Sequence, residues 1–320
     1  MAEICIRTFN NPDGYVAGFG AARINLTITG AGDFKARLTR LQLNDLEVYR
    51  CYESLPRIAY ISLPVGQILL SFPLGTTSLV SDGFAVRNGD MVLHGRGEST
   101  HQRSDAACQW GLISLSPEQF ESCSKALTGR DIAPLYASRI ARPARADLSR
   151  FRRLFREACH LAEAKRKLID RPEVARALEQ ELLHAIINCL AACETDANPK
   201  TRHHRTIVMG RFEETLSKRI NQKLKIPALC AEIGVPERSL RMCCAKFLGV
   251  SPARYLLLRR LNKARSALRR ADPSIATVAE VARNHRFLEL GRFAVTYRTT
   301  FGESPSATLC RNRAPSAEVA

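Results

Sequence analysis

The stretch from Ile226 to Pro252 reads IPALCAEIGVPERSLRMCCAKFLGVSP. Wound as a helix, its second half puts Leu240, Cys244 and Phe247 on one face and turns Arg238, Arg241 and Met242 to the other. A guanidinium presented that way has two uses against a nucleic acid. It can donate a forked pair to guanine O6 and N7, worth ~1–3 kcal/mol of discrimination, or it can neutralise a phosphate. Glu237, at the start of the same helix, suits a cap better than a base contact. No Ser-His-Asp arrangement, phosphate-binding glycine loop or dinucleotide fingerprint accompanies these residues, so no enzyme chemistry, cofactor or metal is expected.

The elements that must position the arginines repeat. A second unit, ATVAEVARNHRFLELGRFAVTYRTTFGESP from Ala276 to Pro305, follows the first in outline. Each has a short helix ending in a small residue (Cys230, Ala282), a tight turn, and a second helix with anchors four apart: Leu240 and Cys244, then Phe293 and Tyr297. Both close with Gly-x-Ser-Pro, where glycine ends one helix and Ser-Pro starts the next. This is the pattern of a helix-turn-helix, whose second helix enters the major groove while the first braces it. Between the units, Pro252 to Arg270 carries Tyr255, Leu258, Leu261, Ala264 and Leu268 at helical spacing. As one helix it would span ~28 Å, close to one turn of DNA at ~34 Å.

Charge supports a polyanion partner. Residues 1–140 hold 13 Lys+Arg and 13 Asp+Glu, 141–200 hold 12 and 9, and 201–320 hold 23 and 9, so net charges of 0, +3 and +14 make up the +17 of the chain. A basic field confined to one segment beside a neutral one points to nucleic acid. The eleven cysteines are odd in number and scattered through apolar stretches, which fits reduced packing thiols. No apolar run reaches the ~18 residues of a membrane span and the N-terminus lacks a signal-peptide pattern, so a cytoplasmic location is expected.

The first 140 residues alternate like short strands: Ala22–Thr29, Leu38–Tyr49 with a turn at Asn44-Asp45, Arg57–Gly66, Gln67–Phe72 and Cys108–Leu115. Gly83–Arg87 and Met91–His94 read as a hairpin around Asn88-Gly89-Asp90. Ser116-Pro117 opens a helix. Asp147–Ile169 and Pro172–Cys193 form a helical hairpin whose apolar face needs either the strands or a second chain as cover; a homodimer seam is the preferred reading. Trp110, Phe72, Tyr60 and Phe84 are candidates for lining an effector pocket, with core packing as the alternative.

At this point a resemblance is visible. The residues GVPERSL, LGVSPARYLLLRRLNKAR and LGRFAVTYRTTFGESPSATL make Thr206 to Arg313 similar to the DNA-binding domain of the AraC/XylS family of transcriptional regulators. The resemblance implies base contacts from Arg238, Arg241 and Met242 in the first unit, and from Leu290, Gly291 and Arg292 in the second. Leu290, Gly291, Ala294 and Val295 offer few donors, so apolar contact with thymine methyls is expected there. Thr296, Arg298 and Thr299 are expected on phosphates. Two departures stand out. Cys244 occupies a place usually held by phenylalanine, and Arg286 stands where the second turn usually has glycine, a strained residue if its φ is positive.

The resemblance also implies an N-terminal sensor of β-barrel or cupin-like form. The expected fold is therefore α+β: residues 1–145 a β-rich sensor or assembly domain, 146–193 a dimerising helical hairpin, 194–205 a linker, 206–313 an all-α double helix-turn-helix domain with a long joining helix, and 314–320 a flexible tail. Expected partners are double-stranded promoter DNA, RNA polymerase, a small-molecule effector and a second copy of the chain, with no membrane. The competing reading is a metal-dependent cupin-type enzyme with an accessory DNA-binding tail. His94, Glu98 and His101 in LHGRGESTH would be its ligands, although their spacing lacks the His-x-His of such enzymes.

Overall fold

A computed structural model describes residues 3–19, 23–64, 66–95, 97–129, 132, 138–191, 193, 199–219 and 225–311, with the backbone alone at 199–203. The expected tail and the first part of the expected linker, 194–198, lie outside the described residues. The amino-terminal strands are β1 (Glu3–Phe9), β2 (Arg23–Ile28), β3 (Ala36–Gln42), β4 (Leu46–Glu53), β5 (Arg57–Ser62) and β6 (Ile68–Pro73). They continue as β7 (Leu79–Ser81), β8 (Phe84–Val86), β9 (Met91–Leu93), β10 (Ser99–Ser104), β11 (Cys108–Leu115) and β12 (Arg139–Ala141). Helix α1 (Pro12–Ala17) follows β1, and α2 (Pro117–Thr128) follows β11, capped by the Ser116 hydroxyl as its Ser-Pro start predicts.

The strands form two antiparallel sheets, ordered β1-β3-β4-β11-β6-β9-β12 and β2-β5-β10-β7-β8. Among the described residues neither closes on itself, so the expected barrel or cupin-like domain takes the form of two open sheets. Alternation along β11 shows why they stack. Ile113 and Leu115 join the core under the helices, while Trp110 and Leu112 join the core that includes the second sheet.

The Asn88-Gly89 hairpin is a correction. β8 pairs with β7 in the five-stranded sheet, whereas β9 pairs with β6 and β12 in the seven-stranded one. Asn88–Asp90 is thus a crossover between sheets, and the real hairpin turns at Asp82-Gly83. An Asn-Gly pair fixes a bend but not which neighbour each flanking strand chooses.

The helical hairpin consists of α3 (Arg145–Ala164), a short α4 (Arg166–Ile169) and α5 (Pro172–Ala191). Its apolar faces lie against the seven-stranded sheet: Phe151, Phe155, Ala158, Leu182 and Ile186 share one core with Val48, Leu70 and Ile113. The face proposed as a homodimer seam is therefore covered within one chain, and the argument for a seam there falls away.

Helix α6 (Pro199–Lys218) starts inside the expected linker and runs across the expected boundary at Thr206. The remaining helices are α7 (Ile226–Ile233), α8 (Glu237–Leu248), α9 (Pro252–Arg270), α10 (Val278–Asn284), α11 (Leu290–Phe301) and α12 (Pro305–Cys310). Helix α9 matches the predicted spacer end to end. Cys230 and Ala282 prove to be packing positions within α7 and α10, which run on past them.

Candidate nucleic-acid interface

Each unit is a helix, a turn and a second helix closed by the repeated motif. Gly249 and Gly302 end α8 and α11 at φ of 72° and 77°, and the Ser251 and Ser304 hydroxyls accept the backbone N–H of Arg254 and Ala307 to start α9 and α12. Leu240, Cys244 and Phe247 are buried in the first unit and Phe293, Tyr297 and Phe301 in the second. Cys244 is fully enclosed, so the cysteine in place of an aromatic side chain leaves it no exposure to solvent.

The opposite faces are in solvent. Arg238 and Arg241 are exposed, and Met242 keeps 56% of its surface in water. Glu237 does not cap α8, whose N-cap is Pro236; it holds Arg241 at 2.5 Å one turn on. On α11, Gly291 and Arg292 are exposed, whereas Leu290 is half-buried against the core. Val295 and Leu288 stay 67% and 81% exposed. Leu288 precedes α11 and Val295 lies on its exposed face. Arg298 is exposed, but the hydroxyls of Thr296 and Thr299 donate to carbonyls of their own helix, Arg292 and Val295, at 2.7 and 2.9 Å. Either must rotate before it can donate to a phosphate. Arg286 adopts φ of 64°, so the second turn keeps its glycine-type geometry with an arginine in it.

The amino-terminal sheets pack against the module. Along β10 the side chains alternate: Thr100 and Gln102 line a cavity between the sheets, while His101 and Arg103 face the helices. His101 Nε2 lies 3.1 Å from Glu213 on α6, which also accepts the Tyr255 hydroxyl at 2.6 Å and the Arg259 guanidinium, both from α9. Burial alone would raise the Glu213 carboxyl; Arg259 and His101 outweigh it and bring it down to about 2. Asn262 of α9 bonds both ways to Ile28 of β2, accepting its N–H and donating to its carbonyl, each at 3.0 Å. The two closing glycines are docking points. A Cβ on Gly249 would come within 2.7 Å of the Arg103 guanidinium, and one on Gly302 within 3.2 Å of Ala31. Gly32 N–H donates to the Phe301 carbonyl at 3.1 Å.

Of the four residues suggested for a pocket, Trp110 alone lines the cavity. Phe72 packs edge-on against Phe151 and Phe155 at 4.9 and 5.0 Å, on the helix side of its sheet. Tyr60 lies on His101 at 4.8 Å, and Lys246 sits over Phe84 at 4.3 Å, both at the boundary with the helices. Trp110 is fixed by its ring N–H, which donates to buried Glu53 at 3.0 Å, and by Phe19 stacked at 5.8 Å. Arg40, Glu47, Ser71, His94 and Gln102 complete the polar part of the wall. The sequence did not signal them, because they come from four strands and the residue after β9, and only the stacking of two sheets brings them together. His94, Glu98 and His101 diverge: they bond Ser71, Ser138 and Glu213 respectively. Among the described residues no helix is long and apolar enough to cross a membrane.

Comparison with known proteins agrees with the carboxy-terminal geometry. Residues 229–311 match the family described as a helix-turn-helix domain. The chain is 33% identical over 162 residues to the Probable thc operon regulatory protein of Rhodococcus erythropolis, covering 48% of each chain. It is 34% identical over 99 residues to the XylDLEGF operon transcriptional activator 2 of Pseudomonas putida, covering 31% of this chain and 63% of that one. It thus spans about half and about two thirds of these relatives' lengths. The crystal structure of the AraC-like transcriptional activator CuxR aligns with 81% of this chain and 95% of its own at 13% identity and a TM-score of 0.45.

Proposed function

Residues 229–311 are a helix-turn-helix domain of the AraC/XylS type, and from that premise we propose that the chain is a sequence-specific transcriptional regulator under small-molecule control. Helices α8 and α11 read promoter DNA. Arg238, Arg241 and Met242 contact bases in the first unit, Gly291 and Arg292 with half-buried Leu290 in the second, and Arg298, Thr296 and Thr299 meet phosphates. The amino-terminal 145 residues are the sensor, the hairpin up to 193 is its buttress, and the DNA-binding domain extends to 313 with α6 as its first helix. The observation that carries this reading is the pairing of exposed arginines with exposed Met242 and Val295 on two buried-backed helices.

The cavity supports effector control. Thr100 and Gln102 face it from the same strand whose His101 and Arg103 hold the DNA-binding module, so a ligand that shifts β10 acts on both sides. The protein works in the cytoplasm, contacting RNA polymerase when it activates, and does no enzymatic chemistry; a homodimer would have to use a surface other than the hairpin face its own sheet covers. Mapping bound chromosomal sites, with transcripts compared before and after removal of the protein, tests the proposal. Occupied sites should cluster upstream of a few genes whose transcripts change. Even occupancy with unchanged transcripts would contradict it.

A further inference from the structure

We infer that the cavity between the sheets takes an uncharged, largely apolar small molecule with one hydrogen-bonding group, in preference to a carboxylate, an amine or a sugar. The inference rests on the effector reading above. The cavity is about 110 Å³ and opens to solvent, room for a small molecule only. Ile24, Ile61, Leu69, Leu112 and Trp110 make an apolar wall.

The charges in the wall are engaged with each other. Arg40 Nη2 lies 2.7 Å from Glu47 Oε1, and the Tyr49 hydroxyl donates to the other Glu47 oxygen. A carboxylate entering here meets a guanidinium whose charge Glu47 already balances, and an amine meets a carboxylate whose charge Arg40 already balances. Either would lose its hydration without a free counter-charge. A sugar needs many polar partners, and this wall is mainly apolar. Ser114 donates to Gln67 at 2.7 Å, Thr100 to Asp82 at 2.9 Å, and Gln102 accepts from Arg57.

Ser71 and His94 offer a polar spot. Ser71 Oγ and His94 Nε2 share a hydrogen bond of 2.8 Å, both buried. If the serine donates to the ring, its oxygen still accepts; if the ring donates, the hydroxyl still donates. Either way Ser71 retains one hydrogen-bonding function for a ligand group such as an amide, an alcohol or a phenol.

Trp110 is the only tryptophan of the chain and lines the cavity, so its emission reports occupancy. The full chain is titrated at pH 7 with 4-phenylbutanamide, with its isostere 4-phenylbutanoate and with glucose. The amide should give a saturable change at an affinity about ten-fold or more above that of the carboxylate, and glucose should give none. In a Glu47→Gln variant, which frees Arg40, the carboxylate should gain about ten-fold relative to the amide. A carboxylate or glucose that binds the unaltered protein as tightly as the amide would overturn the ligand class while leaving the cavity as a binding site. So would an amide-to-carboxylate ratio unmoved by Glu47→Gln. No saturable change with any probe would overturn the cavity as a ligand site and the effector reading with it, leaving the DNA-binding reading standing.

Discussion

Arg241 and Arg298 are both exposed arginines on reading helices, yet the account gives them different work. Arg241→Ala should cost ~1–3 kcal/mol on the best operator and relax preference at one base pair. Arg298→Ala should weaken all sequences alike and reduce the salt slope by about one. Binding titrations on matched and scrambled operators at several salt concentrations separate the two, and identical behaviour would refute the assignment. Two residues with positive φ make a second contrast. Asp82, at φ of 48°, accepts the Thr100 hydroxyl at 2.9 Å and the His101 N–H at 2.8 Å, so its carboxylate compensates the strain. Arg286, at 64°, occupies a turn that glycine fits better. Thermal unfolding should show Arg286→Gly stabilised by about 0.5–1 kcal/mol and Asp82→Gly destabilised by about 1–3 kcal/mol. The reverse order would show that side-chain contacts, not backbone strain, decide both. The exposure of these candidates was legible in the sequence because one helix face decides it. The half-buried Leu290 was not, since its packing depends on a neighbouring element.

The elements that the sequence hid are those whose burial is polar or long-range. Strand β10 reads STHQRS, which no hydrophobic alternation marks, yet four of its six residues are buried and His101 bonds Glu213, 112 residues away in sequence. The spacer helix and both closing motifs were plain, because capping residues and 3.6-residue periodicity are local. The hairpin at Asn88 was misread because strand partners are chosen by the whole sheet. At this scale Asn262→Ala should destabilise the chain by about 1–3 kcal/mol, since it strips both backbone partners from buried Ile28. Chemical denaturation checks it, and an unchanged midpoint would show the contact to be idle. Glu213 predicts an acid response. Its carboxyl is held at about 2 in the folded chain, below the ordinary 4.5, so its contribution is complete above about pH 4.5 and is lost as pH falls through 2. A Glu213→Gln variant should be less stable at neutral pH and should lack that part of the acid slope. Parallel pH profiles for the two proteins would contradict the role given to this carboxylate.

At the scale of the molecule, the charge split was the clearest signal of the sequence: +14 of +17 lies in residues 201–320, where both reading helices are found. The homodimer argument was not sound, because a helical hairpin's apolar face says only that something covers it, and here the chain's own sheet does. The docking of the amino-terminal sheets on α6, α8, α9 and α11 was invisible because its apolar clusters, Ile28 with Leu261 and Ile58 with Phe247, join residues far apart in sequence. The most direct test of the central claim is a ratio of affinities for the full chain at one physiological salt concentration. Duplexes selected from a random pool are compared with scrambled DNA of equal length. The account predicts a ratio of about 10³ or more, with selected sequences showing two determinants roughly one helical turn apart. A ratio near one, or a single short determinant, would contradict a paired reading of the major groove.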